Sequence, residues 1–194
     1  ILEGKIPTKS LTNVPHKGGN CSAHWNEDVA ELQPDVTLVV LGGGFFAPVR
    51  IDGQWQRVCD APARKAYVDE LVSRLQSLGA RAGRIVVTRV PNPVGHWQRA
   101  EWDRQVVCFN EAMNDVVKRV PSATALELGE HLCPGAHCIL EDQGAPIRPD
   151  GMHFGGLGAE NTAEWVLDRL RGTSGIAMPS PSAGRPDEKP PASG

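Results

Sequence analysis

Asp150 and His153 stand three residues apart in the stretch Ile147-Arg148-Pro149-Asp150-Gly151-Met152-His153-Phe154, a spacing that suits a carboxylate supporting an imidazole. Across one turn an Asp carboxylate can accept the Nδ1–H of a histidine, fix its tautomer and stabilise the ring when it is charged. A histidine that takes a proton from a hydroxyl nucleophile needs that support. Pro149 and Gly151 predict a turn, and the glycines at 155, 156 and 158 predict a loose link into a helix from about Leu157. An Asp-Gly turn followed by a surface histidine is written with the same letters, so the surroundings of the pair have to decide between them.

Three other groups of residues bear on that decision. Gly42-Gly43-Gly44 closes an apolar run, and its backbone N–H groups are candidates for holding a developing oxyanion, a task that needs no side chain. With Phe45-Phe46-Ala47 the same glycines match a GxGxxA dinucleotide pattern. Pro48 and a polar loop, however, stand where the pyrophosphate would need a helix N-terminus, so no cofactor is expected. His96 and Trp97 follow Gly95 in a loop and are candidates for lining a substrate pocket, while Asn110 reads as a core-facing side chain that ties down a loop. His16, His24 and His131 carry no supporting context and are assigned no role.

The five cysteines are Cys21, Cys59, Cys108, Cys133 and Cys138. Cys133-Pro134-Gly135-Ala136-His137-Cys138 sets two thiols across a tight turn, which suits a small disulfide loop. Cys21 and Cys59 both fall in loop-like sequence and are free to pair, whereas Cys108 lies in a helical apolar stripe, the usual place of a free buried thiol. Two bridges imply an oxidising compartment and an extracytoplasmic location: periplasmic, cell-surface or secreted. Zinc held by His131, Cys133, His137 and Cys138 is the rival reading. No second ligand pair at knuckle spacing supports it, so no metal is expected.

The elements that must position these residues alternate. A short helix is expected over residues 23–33, then a strand at Val36-Thr37-Leu38-Val39-Val40-Leu41 whose continuous apolar run predicts burial on both faces. Residues 45–62 form a long excursion containing Asp52-Gly53 and Trp55. A helix over 63–78 turns Ala66, Leu71, Leu75 and Leu78 inward, and a second strand covers 84–90. A helix over 99–119 has Val106, Phe109 or Asn110, Met113 and Val117 inward, a third strand covers 124–128, and a last helix over 157–170 uses Ala159, Ala163, Val166 and Leu170. This β-α-β-α-β-α order predicts an α/β fold with a parallel sheet covered on both faces, and ligands in such sheets bind beyond the carboxyl ends of the strands. Residues 1–20 read as an irregular segment, 21–172 as one α/β domain, and 173–194 as a disordered Pro/Ser/Gly-rich tail.

Composition excludes several classes of function. The 194 residues are 40% hydrophobic and 22% charged, with a net charge of -3. No basic stripe offers itself to nucleic acid, and no apolar run reaches the roughly 18 residues of a membrane span. The opening Ile1-Leu2-Glu3-Gly4-Lys5 has neither an initiator Met nor a signal-peptide pattern, as expected of a piece cut from a longer protein.

Residues 34–41, Leu78-Gly79-Ala80, the strand ending at Pro91, Asn110, Leu132-Cys133-Pro134 and above all Asp150-Gly151-Met152-His153-Phe154 resemble the SGNH/GDSL hydrolases. The closest likeness is to the SGNH domains fused to membrane acyltransferase-3 proteins, and it runs from about Cys21 to Arg171. It implies a three-layer α/β/α sandwich with a flavodoxin-like parallel sheet, His153 as general base, Asp150 as its orienting partner, and an oxyanion hole at Gly42, Gly43 and Gly44. It also implies ester hydrolysis or acyl transfer through an acyl-serine, on an acylated carbohydrate of the cell surface or another small ester, with an acyltransferase membrane domain upstream. The family's Gly-Asp-Ser nucleophile turn is absent from this sequence, as is its Gly-x-Asn block. Ser10 and Ser22, the serines upstream of the first expected strand, do not follow an apolar strand. The expectation is therefore a domain lacking its first strand, with a non-catalytic binding or structural module as the alternative.

Overall fold

A computed structural model describes residues 25–41 and 46–174. The irregular segment 1–20, Cys21, the glycine turn at Gly42 to Gly44 and residues 175–194 of the expected tail lie outside the described residues. Helix α1 (Trp25–Leu32) precedes strand β1 (Val36–Val39), and a hairpin of β2 (Val49–Ile51) and β3 (Gln54–Gln56) leads into α2 (Ala61–Leu78). Strand β4 (Arg84–Thr88), helix α3 (Ala100–Arg119), strand β5 (Ala123–Leu126) and the short α4 (Leu128–Leu132) follow. A second small hairpin, β6 (Glu141–Asp142) and β7 (Ala145–Pro146), precedes α5 (Gly156–Ser174), which carries Thr173 and Ser174 in helix rather than tail.

The three long-range strands pair parallel in the order β1-β4-β5, with Val36 opposite Arg84 and Ile85 opposite Ala123. Alternation along β4 explains why helices flank this sheet. Ile85 and Val87 enter one buried cluster with Leu71 and Leu75 of α2 and Val106, Phe109 and Met113 of α3, whereas Val86 enters another with Leu128 and Leu132 of α4 and Val166 of α5. A strand with both faces covered reads as an unbroken apolar run, and β4 does so.

The same expectation is too strong for β1. Its first three residues are half-buried and Val40, just beyond it, is 62% exposed. Among the described residues β1 is an edge strand, so only one side of it is paired. One helix face also differs from expectation. On α3 Val116 is fully buried and Val117 is half-buried against the same core, whereas α5 turns Thr162 and Val166 inward while Ala163 faces out.

Tyr67 of α2 is the only tyrosine in the chain, and it is 7% exposed with no hydrogen-bond partner for its hydroxyl among the described residues. Burial pushes its phenol up to about 12. Replacing Tyr67 with Phe keeps the ring and removes an unpaired polar group, so stability to urea should rise by about 1 kcal/mol. A loss of that size instead would mean that the hydroxyl has a partner. In the wild-type protein, phenolate absorbance should appear near pH 12 rather than about 10. Stability should fall between those values, because the native state keeps a proton that the unfolded chain has released.

Candidate active site

The turn carrying the pair is built from its own sequence. The Gly151 N–H donates to the Arg148 carbonyl at 2.8 Å, closing a β-turn with Pro149 in its second position and Gly151 in its fourth. One oxygen of Asp150 then accepts the backbone N–H of Met152 at 2.9 Å and of His153 at 2.7 Å. That double bond to the backbone turns the chain back, so that the other carboxylate oxygen lies 2.6 Å from His153 Nδ1. A carboxylate can only accept, so Nδ1 carries the hydrogen and Nε2 keeps its lone pair. The ring is 76% exposed at the side chain, yet it is bonded to Asp150. The His153 imidazole, and after it the two backbone N–H groups, hold the Asp150 carboxyl well below the usual carboxylate range. Asp150 is therefore an anion throughout the pH range in which an imidazole acts as a base.

The turn is anchored to the carboxyl end of the sheet through the loop that leaves β4. Val94 N–H donates to the Gly151 carbonyl at 2.8 Å. Arg148, only 6% exposed, donates through Nη1 to the Asn92 carbonyl at 2.5 Å. Asn110 of α3 holds the start of the same loop, accepting from Val90 N at 2.9 Å and donating to Val90 O at 3.0 Å, which is the tying role expected of it. Asn110→Ala leaves both Val90 groups short of a partner and should cost about 2 kcal/mol in urea unfolding. An unchanged midpoint would show that water replaces the amide.

His96 and Trp97 lie in the 3-10 turn Gly95–Trp97 of this loop, His96 exposed and Trp97 half-buried. The loop's bond to Gly151 brings both residues beside the Asp150 turn. They head a row of rings: His96 to Trp97 at 4.9 Å, Trp97 to Trp102 at 5.2 Å, and Trp102 to Phe46 at 4.8 Å. Phe46 is the first described residue after the glycine turn, so the row links the exit of β1 to the edge of the candidate site.

The cysteines correct two expectations. Cys59 is bonded to Cys108, so Cys59 is not paired with Cys21 and Cys108 is not a free thiol. Cys108 sits on the flank of α3, beside the inward stripe of Val106 and Phe109, and from there it meets the segment leading into α2. Cys133 and Cys138 are bonded to each other as expected. Both thiols of the zinc alternative are therefore committed, and its His131 lies flat on Trp165 at 3.9 Å, where burial holds the imidazole below its ordinary value. Two bridges suit an oxidising, extracytoplasmic environment. Among the described residues no helix is long and apolar enough to cross a membrane.

Sequence reasoning passed over Arg148. Its signal was present, a cation between the apolar Ile147 and a Pro-Asp-Gly turn, but nothing in the letters says which way such a side chain points. A scan against protein-family models finds no match for this chain, and a search of curated proteins finds none either.

Proposed function

We propose that this chain is the larger part of an SGNH-type esterase or O-acyltransferase domain, a three-layer α/β/α sandwich whose first strand and nucleophilic serine are supplied from outside these 194 residues. The observation that carries the reading is the 2.6 Å contact between His153 Nδ1 and an Asp150 oxygen in a turn at the carboxyl end of a parallel sheet. In this reading the serine attacks the acyl carbonyl and His153 Nε2 takes its proton. Asp150 holds the imidazolium, and backbone N–H groups near Gly43 receive the oxyanion. The acyl-serine is then released to water or to a hydroxyl acceptor, with His153 acting in the reverse sense.

Two further features support it. Among the described residues one edge of β1 is unpaired, and beside it lies a groove of about 480 Å³ lined by Trp25, Val29, Leu32, Val36, Leu38 and Val40, which suits the seat of a further strand. The row of rings from His96 to Phe46 beside the Asp150 turn suits a substrate with a ring of its own, such as an acylated sugar of the cell surface.

The test is labelling by a serine-directed fluorophosphonate. A chain extended upstream to include a Gly-Asp-Ser strand should be labelled at that serine, and the 194-residue chain should remain unlabelled. Absence of any such serine upstream, or brisk labelling at Ser10 or Ser22, overturns the proposed arrangement.

A further inference from the structure

Arg148 is a buried cation without a carboxylate: none of the ion pairs among the described residues includes it. Its Nη1 is engaged by the Asn92 carbonyl at 2.5 Å, its Nε has no partner among the described residues, and its Nη2 lies 3.7 Å from the sulfur of Cys133. Burying a charge without an opposite one is costly, and the protein keeps it there facing a disulfide. Both sulfurs of that bridge also lie against the Asn92 carbonyl oxygen, at 3.8 Å for Cys133 and 3.7 Å for Cys138. A disulfide is neutral. Its reduced form, however, offers the one thing Arg148 lacks, an anion in contact with the guanidinium.

We propose that Cys133–Cys138 is a redox-active bridge, taking a dithiol reductant as its partner, in which Arg148 stabilises the Cys133 thiolate and thereby favours reduction. Cys133 is 4% exposed and Cys138 half-buried, so the reductant's thiolate attacks Cys138 Sγ. The S–S bond breaks, and its electron pair leaves on Cys133 Sγ, the sulfur next to Arg148. The reductant's second thiol loses its proton, closes the reductant's own disulfide and releases Cys138, which takes up a proton. Counted from the neutral dithiol, whose first thiol gives its proton to solvent as it becomes the attacking thiolate, two electrons and one proton pass to the protein, and Cys133 remains a thiolate. A leaving thiolate held by a fixed cation raises the potential of its disulfide, as a lowered thiol pKa does at other reactive cysteines. The other charged or titratable groups of the loop and of α4 before it are Glu130, which accepts from Gly135 N at 3.3 Å, His131, stacked on Trp165, and the exposed His137.

Reduction has a structural consequence on the same page. An anionic sulfur beside the Asn92 carbonyl repels it and draws Arg148 away from it, and that bond is one of two that fasten the β4 exit loop to the Asp150 turn. The inference does not depend on the esterase reading, because its readouts are chemical and local.

The experiment is a redox titration of the whole chain in dithiothreitol buffers, with differential alkylation and mass spectrometry reporting each bridge separately and Cys59–Cys108 as internal reference. Arg148→Met should lower the reduction equilibrium constant of Cys133–Cys138 at least tenfold, which is about 30 mV, and leave the reference bridge where it was. Arg148→Lys should retain most of the bias. If Arg148→Met fails to fold, the wild-type protein decides: the Cβ resonance of reduced Cys133, followed against pH, should show a thiolate at pH values where an ordinary thiol is still protonated. Equal constants in wild type and Arg148→Met, an equal shift of both bridges, or an ordinary titration of Cys133 would each overturn the proposal.

Discussion

On the esterase reading proposed above, replacing Asp150 with asparagine should lower kcat/KM for ester hydrolysis about a thousandfold in a chain that carries the nucleophile, with the turn itself still formed. Asparagine keeps an oxygen where Asp150 accepts the backbone N–H groups of Met152 and His153 at 2.9 and 2.7 Å, so the turn survives. The change falls on the other contact. Where a carboxylate oxygen now meets Nδ1 at 2.6 Å, an amide can present N–H instead, and the ring answers by placing its hydrogen on Nε2. That tautomer has no lone pair for the serine proton. His153→Ala should cost at least as much, and the double variant little more than His153→Ala alone, because the two side chains act as a unit. Additive losses would mean that the pair is structural and that the turn does no proton chemistry.

The same contacts set the sign of the acid response. The His153 imidazole, followed by the two backbone N–H groups, holds the Asp150 carboxyl well below its ordinary value. A depressed carboxylate contributes stability that is complete above about pH 4 and is lost as pH falls through its native value. Asp150→Asn should lack that loss, so the difference in urea midpoint between wild type and variant should shrink as the solution is acidified below about pH 4. A difference that grows in acid would show that the carboxylate is not hydrogen-bonded as described.

The elements that could be read in advance were those whose period comes from burial. The apolar run of β4 and the stripe Leu71, Leu75 and Leu78 on α2 are both one-dimensional consequences of a covered surface, and both were legible. Local chemistry was equally legible: Pro149 and Gly151 in the turn, and an Asp three residues before a His, need no tertiary information. Strand β1 departs from its expected double burial because its apolar run anticipates a neighbour that the described residues do not include. The Cys59–Cys108 bridge was missed for a related reason, since a cysteine one position off an inward stripe looks like a member of it until the opposing segment is known. The two hairpins leave no period in the sequence because their strands are two or three residues long, although Asp52-Gly53 is a strong turn signal. Arg148 belongs with these cases, because its partners come from residues 56 and 15 positions away in the chain.

Gly151→Ala is the substitution that joins the fold most directly to the pair, and Gly53→Ala is its control. Both glycines adopt left-handed backbone, with φ +87° at Gly151 and +81° at Gly53, so alanine brings similar conformational strain to each. Their surroundings differ. A Cβ at Gly53 meets nothing within 4 Å, whereas a Cβ at Gly151 falls 2.2 Å from the carbonyl oxygen of Val94 and 3.0 Å from its carbon. Those are backbone atoms, which cannot swing aside as a long side chain would, and Val94 N is itself bonded to the Gly151 carbonyl at 2.8 Å. Gly53→Ala should therefore cost about 1 kcal/mol, and Gly151→Ala about 3 kcal/mol or more. To make room, the β4 exit loop must part from the turn, carrying Trp97 away and loosening the residues on which Asp150 and His153 ride. Hydrogen exchange should show this as lost protection at the Val94 amide in Gly151→Ala and intact protection there in Gly53→Ala. Equal costs for the two variants would mean that the close approach of residues 94 and 151 is absent in solution, and with it the anchoring of the pair to the sheet.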